Sequence, residues 1–173
     1  YPNSGLGASS SLTTNIVKVI TTLQQKKQSP DQIATKAYRI GHDVLKWGVG
    51  KQDEFAAAYG GLNLYKFTKN KVIVKKINLT KNSKKELYEN SLLFYLGNRK
   101  HSEGILKKQI NSINKSEKTT LNALHKAKEI TLKMYDALNK NDLTNFSEML
   151  NEGWETKKKF TDGITNEWIE KIN

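Results

Sequence analysis

The sequence predicts an α+β fold, one ordinary domain in size or one domain and part of another. Three observations predict it. Apolar residues recur at helical spacing near the start, two short strand-like runs follow, and the chain after Ser102 has helical periodicity throughout. Of the 173 residues, 36% are hydrophobic, 27% are charged and only two are prolines, which favours a packed core over a disordered chain.

Taken in order, residues 2–11 read as a Gly/Ser-rich loop and residues 12–26 as a helix. Leu12, Ile16, Val17, Ile20 and Leu23 fall on one apolar face of it. Ser29, Pro30 and Asp31 then supply a capping hydroxyl, a proline at the first helical position and an early acid for the helix dipole. That second helix turns Ile33, Ala34, Ala37, Tyr38, Val44 and Leu45 inward and stops near Trp47 and Gly48. Residues 52–59 form a short helix closed by Gly60 and Gly61.

Residues 62–68 and 72–79 read as strands joined by a turn at Lys69, Asn70 and Lys71, with β-branched residues filling the second run. The polar residues 80–90 are the expected domain junction. Residues 91–97 are continuously apolar and read as a buried strand. Beyond them, Ile105, Leu106, Ile110 and Ile113 mark one helix. A long one carries Leu121, Leu124, Ala127, Ile130, Leu132, Met134, Tyr135 and Leu138, and ends at Asn139–Asn141. Asp142 caps a third, with Leu143, Phe146, Met149, Leu150 and Trp154 on its buried side.

Composition excludes several classes. With no cysteine there is no disulfide scaffold, thiolate metal site or cysteine nucleophile. His42, His101 and His125 are scattered and make a poor zinc set. No apolar run reaches the ~18 residues of a membrane span, and no basic start precedes an apolar stretch, so a cytoplasmic chain without membrane contact is expected. The net charge is +12, almost wholly from lysine. Lys69, Lys71, Lys75, Lys76, Lys81, Lys84 and Lys85 cluster near the strands, and Lys157–Lys159 lie on a late helix. Aromatic residues are not interleaved with them, so a solvated surface fits better than a nucleic-acid platform.

Two motifs carry chemistry. The first is Gly5-Leu6-Gly7-Ala8-Ser9-Ser10-Ser11 running into a helix. Its glycines allow a tight turn that gathers backbone N–H groups, and the helix start favours anions. No lysine follows the second glycine, so this is not the P-loop pattern. A linker that caps a helix fits the same residues. The second is Gly50-Lys51-Gln52-Asp53-Glu54-Phe55 leading through an alanine run to Gly60-Gly61. A helix-start aspartate is commonly only a cap. Here it could also enter a cleft beside Lys51 and orient or deprotonate a hydroxyl.

In this order the two motifs resemble the GHMP kinase superfamily, and within it the D-glycero-D-manno-heptose 7-phosphate kinase branch. The likeness extends through Ser29-Pro30, Val49 to Asn63, Leu92-Leu93-Phe94-Tyr95 with Gly97, and Gly153-Trp154-Glu155 with Lys157-Lys158. The resemblance implies a ribosomal-S5-like ATP-binding part over residues 1–85 and a ferredoxin-like, helix-rich C-terminal part over 86–173. It implies an ATP-dependent sugar kinase with Mg2+. Gly5, Leu6, Gly7, Ala8, Ser9, Ser10 and Ser11 would hold the triphosphate, Ser9 the metal, and Asp53 the acceptor hydroxyl.

The chain departs from that family in three respects. Gly41 stands where sugar-kinase relatives carry a magnesium-binding glutamate, with Asp43 nearby as a substitute. The family's preceding substrate segment and its C-terminal Gly-rich motif are also missing, so an incomplete kinase core is expected. A second copy or complementing segments would then finish it. The alternative is a degenerate, non-catalytic fragment that binds a nucleotide or a partner chain. Lys51, Arg99 and Lys100 are candidate contacts to the substrate, though plain surface charge also accounts for the last two.

Overall fold

The computed structural model describes residues 5–95 and 103–171. It forms two compact units, and the chain passes from the first to the second between Lys76 and Ile77. That point lies ahead of the polar stretch at residues 80–90.

The first unit packs three helices with one hairpin. Helix α1 spans Ala8–Leu23, α2 Pro30–Arg39 and α3 Gln52–Tyr59. Strands β1 (Asn63–Phe67) and β2 (Val72–Lys76) pair antiparallel, with Tyr65 opposite Val74 and Phe67 opposite Val72. Helix α1 begins four residues earlier than its apolar periodicity suggests, because Gly7 enters the left-handed region at φ 69° and serves as its N-cap. It ends at Leu23, where Gln25 adopts φ 54°. The N–H groups of Gln25 and Lys26 there donate to the carbonyls of Thr22 and Thr21, both at 2.9 Å. This closes the helix in a Schellman motif.

The buried face of α1 differs from the expected one. Val17 is buried together with Ser10, Thr14 and Thr21, whereas Leu12, Ile16, Ile20 and Leu23 are exposed. The inner face consists of small side chains, which lets α1 approach Ile33 and Ala37 of α2 and Ala58 of α3 closely. Thr21 is accommodated there because its hydroxyl donates to the Val17 carbonyl at 2.9 Å.

Helix α2 starts as its sequence signature requires. The Gln32 N–H donates to Ser29 Oγ and the Ser29 N–H donates to Gln32 Oε1, a reciprocal capping box. Ile33, Ala34 and Ala37 are buried as expected. After Arg39 the chain widens into a π-helical turn over Ile40–Val44, and the Leu45 N–H reaches the Ile40 carbonyl. The wider turn takes the following residues off the buried face, so Val44 and Leu45 lie outside. Phe55 of α3 is fully buried and meets Tyr59, Tyr65 and Phe67 ring to ring.

Among its described residues, the second unit is helical. It comprises α4 (Lys81–Glu89), α5 (Glu103–Asn114), α6 (Lys118–Asn139), α7 (Leu143–Lys157) and α8 (Glu167–Glu170). Ile77, Leu79 and Leu138 form its core, with Leu87, Tyr135, Leu143 and Phe146 packed around them. Asp142 caps α7 by accepting from the Asn145 N–H. Leu132 and Leu150 lie on outer faces instead of in the core.

The expected strand at 91–97 is not formed over its described part. Residues 91–95 have no regular structure, and Leu92, Leu93, Phe94 and Tyr95 are exposed. An apolar run becomes a strand only beside a partner, and the sheet among the described residues contains β1 and β2 alone. Among the described residues, no helix is long and apolar enough to cross a membrane.

Candidate active site

The two chemical motifs meet in the first unit. Leu6, Gly7 and Ser11 of the Gly/Ser loop and Asp53, Ala56 and Ala57 of α3 line one hollow of about 280 Å³. Gly7 lies against Asp53 so closely that a Cβ at Gly7 would stand 3.2 Å from Asp53 Oδ2. Asp53 is in the first turn of α3, and its side chain is exposed to the hollow's mouth.

The start of α1 is suited to an anion. It has no side-chain cap and no acidic residue in its first turn, whereas α2, α4, α7 and α8 each have a side-chain acceptor at their N-cap. The first N–H groups of α1, from Ala8, Ser9 and Ser10, therefore stay available along with the positive end of the helix dipole. Gly5 and Gly7 both have positive φ and shape the turn ahead of these groups.

The three serines divide in role. Ser9 is exposed and Ser11 half-buried at the hollow. Ser10 points inward, and its Oγ donates to Glu54 Oε1 at 2.9 Å in a buried contact. Ser10 thus offers the hollow a backbone N–H rather than a hydroxyl. Glu54 is only 3% exposed, and its Oε2 has no hydrogen-bond partner among the described residues, nor does the Oγ1 of Thr14, buried one turn after Ser10 on α1.

Sequence reasoning missed Glu54. The only local signal is an acid near a helix start, which is commonly read as a dipole effect. Its anchoring role depends on Ser10, 44 residues away.

Lys51, the N-cap residue of α3, lies elsewhere. Its ammonium sits 5.2 Å from the centroid of the Tyr38 ring. Burial, followed by the charges of Asp43 and Glu54, raises the Tyr38 hydroxyl above its ordinary pKa. Arg99 and Lys100 lie outside the described residues.

The donor set for a resident metal is incomplete. Gly41 is buried beneath Trp47 and Val49. Asp43 is exposed and occupied with His42 Nδ1 at 2.8 Å, a contact that holds its carboxyl below the usual range. Among the described residues, no group of three or more His, Asp or Glu side chains gathers to hold an ion. These residues do not fit a protein-held magnesium site.

This arrangement of uncapped helix, glycine turn and facing aspartate coincides with a sequence-family match. Residues 2–61 match the GHMP kinases N terminal domain. A curated relative, the D-glycero-alpha-D-manno-heptose 7-phosphate kinase of Campylobacter jejuni subsp. jejuni, is 28% identical over 170 residues. That alignment covers 98% of this chain and 50% of the relative.

Two solved structures are also similar. One is a D-glycero-D-manno-heptose 1-phosphate kinase from Bacteriodes thetaiotaomicron, 30% identical with a TM-score of 0.71, covering 91% of this chain and 45% of that one. The other is a putative sugar kinase from Campylobacter jejuni, 25% identical with a TM-score of 0.65, covering 99% of this chain and 48% of that one. The chain spans about half the length of the curated relative it matches.

Proposed function

We propose that the protein is an ATP-dependent sugar kinase whose acceptor is a heptose phosphate or a related sugar. The observation that carries this reading is the contact of Gly7 with Asp53, which sets an open, uncapped helix start beside an exposed carboxylate. The N–H groups of Ala8, Ser9 and Ser10, with the hydroxyls of Ser9 and Ser11, bind the terminal phosphates. Magnesium enters as part of the substrate MgATP. Asp53 accepts a hydrogen bond from the sugar hydroxyl and aligns its oxygen with the γ-phosphorus. The hydroxyl oxygen forms a bond to that phosphorus as the bond to the ADP oxygen breaks, and Asp53 receives the hydroxyl proton. The rate gain comes from positioning and fixed dipoles rather than a covalent intermediate.

Residues 1–85 serve in this account as the ATP-binding part and 86–173 as the C-terminal kinase part, in a cytoplasmic enzyme. A second reading, a non-catalytic module that binds a nucleotide or a partner chain, is favoured by one observation: a buried glycine, Gly41, stands where the family resemblance implies a metal-binding carboxylate. The test is transfer of labelled γ-phosphate from ATP to D-glycero-D-manno-heptose 7-phosphate by the full chain. Sugar-dependent transfer is the expected result. Saturable ATP binding with no transfer to any sugar would leave only the second reading.

A further inference from the structure

Asp53 faces the candidate active site without a tether of its own. Among the described residues its side chain forms no hydrogen bond or ion pair, and it lies against Gly7 by proximity alone. Its direction is therefore set by how the first turn of α3 is held. Two neighbours hold that turn. Phe55 is 1% exposed and packs on the rings of Tyr65 and Phe67, which fixes α3 against the hairpin. Glu54 fixes it against α1. Successive side chains on a helix stand about 100° apart, so a fixed Glu54 sets the rotation at which Asp53 leaves the turn.

Glu54 in turn is held by one hydrogen bond. Ser10 Oγ donates to its Oε1 at 2.9 Å, while Oε2 has no partner among the described residues. Ser10 lies in the first turn of α1, whose N–H groups are the candidate phosphate donors. The bond thus runs from the anion-binding turn to the residue next to Asp53. Both of its ends are buried, so neither can exchange its partner for solvent, and the contact defines one geometry. Phosphoryl transfer depends on such geometry, because a misplacement of about 1 Å can cost about 10²-fold in rate.

We propose that Glu54 is a positioning residue for phosphate transfer: held by Ser10, it sets the spacing between the anion-binding start of α1 and the Asp53 carboxylate. The inference rests on the sugar-kinase reading and deepens it.

The test compares the full chain with Ser10→Ala/Glu54→Met, which replaces both partners by apolar groups and leaves neither one's polar atom unpaired. Methionine is unbranched and adapts to the space of the glutamate side chain. The double variant keeps every backbone N–H of α1, so stability in urea and ATP affinity by calorimetry should both match wild type. The rate of transfer from ATP to D-glycero-D-manno-heptose 7-phosphate, with both substrates saturating, should fall about tenfold or more. Ser10→Ala, assayed well below its melting temperature, should be slowed in the same way. Glu54→Gln keeps an acceptor for Ser10 Oγ and should restore most of the rate. A role in stability alone would not slow a variant as stable as wild type.

The spacing itself is read without any reaction. A Cβ at Gly7 would stand 3.5 Å from Asp53 Cβ. A nuclear Overhauser contact between Gly7 Hα and Asp53 Hβ protons is therefore expected in wild type, and a weaker one in the double variant. A slowed variant with that contact intact overturns the proposal, as does a wild-type rate whether the contact weakens or not. Absence of transfer by wild type sinks the kinase reading instead, and the contact then decides whether Glu54 sets the spacing.

Discussion

Ser10 Oγ donates to Glu54 Oε1 at 2.9 Å across 44 residues of sequence, and both side chains are buried. The bond ties the first turn of α1 to the first turn of α3, the two segments that line the candidate active site. Ser10→Ala would leave a buried carboxyl oxygen without its donor, so a loss of about 1–3 kcal/mol in unfolding free energy is expected. Urea denaturation of the full chain reads it directly. A variant as stable as wild type would mean that the contact does not hold the two segments together.

Gly7 is constrained twice, by its left-handed φ of 69° and by the nearness of the Asp53 carboxylate. In Gly7→Ala the backbone strain alone costs about 1–2 kcal/mol, and the new methyl presses on Asp53 Oδ2. Phosphate transfer should therefore fall by more than the melting temperature alone would suggest. Unchanged turnover together with unchanged stability would contradict the placement of Asp53 against the loop.

At Gly41, a Cβ would meet Trp47 Cε3 at 3.4 Å and Val49 Cγ2 at 3.5 Å, which is ordinary contact. A Cβ is therefore accommodated, whereas the carboxylate of Gly41→Glu must displace Trp47 to reach solvent or a cation, so circular dichroism first establishes that the variant is folded. If the position faces the metal–phosphate group, magnesium-dependent ATP affinity rises and Trp47 fluorescence shifts. An affinity that depends on magnesium as in wild type would show that this position plays no part in metal binding.

Three tyrosines of the first unit respond to alkali together. Burial is the leading cause that raises Tyr38, Tyr59 and Tyr65 above the ordinary value of 10.0. The folded form keeps their protons longer than the unfolded form does. The stability linked to them is thus whole below pH 10 and declines as pH rises through their folded-state values. Absorbance at 295 nm followed against pH should show these three ionising late, at or just before loss of helical signal. Full tyrosinate formation near pH 10 with the helices intact would contradict their burial.

Much of this architecture is legible locally. The box at Ser29 and Gln32, the Gly60-Gly61 exit of α3, the turn at Lys69–Lys71 and the Asp142 cap all depend on residues within a few positions of one another. Features that depend on distant partners were not legible. Periodicity finds the apolar stripe of α1, but close approach to Ala37 and Ala58 selects the opposite, small-residue face. The π-helical turn after Arg39 carries no composition signal and displaces Val44 and Leu45. Residues 91–95 have strand composition without a neighbouring strand among the described residues. In the site, glycines, serines and Asp53 follow from motif chemistry, whereas Glu54 gains its meaning only from Ser10.

The central claim is that Asp53 serves the acceptor while the α1 start serves the triphosphate. The most direct measurement is a pair of readings on Asp53→Asn in the full chain, ATP affinity by calorimetry and the transfer rate from ATP to the heptose phosphate. The account predicts ATP affinity close to that of wild type and a transfer rate lower by about 10²-fold or more. A rate equal to that of wild type would contradict it, as would loss of ATP binding on this single change.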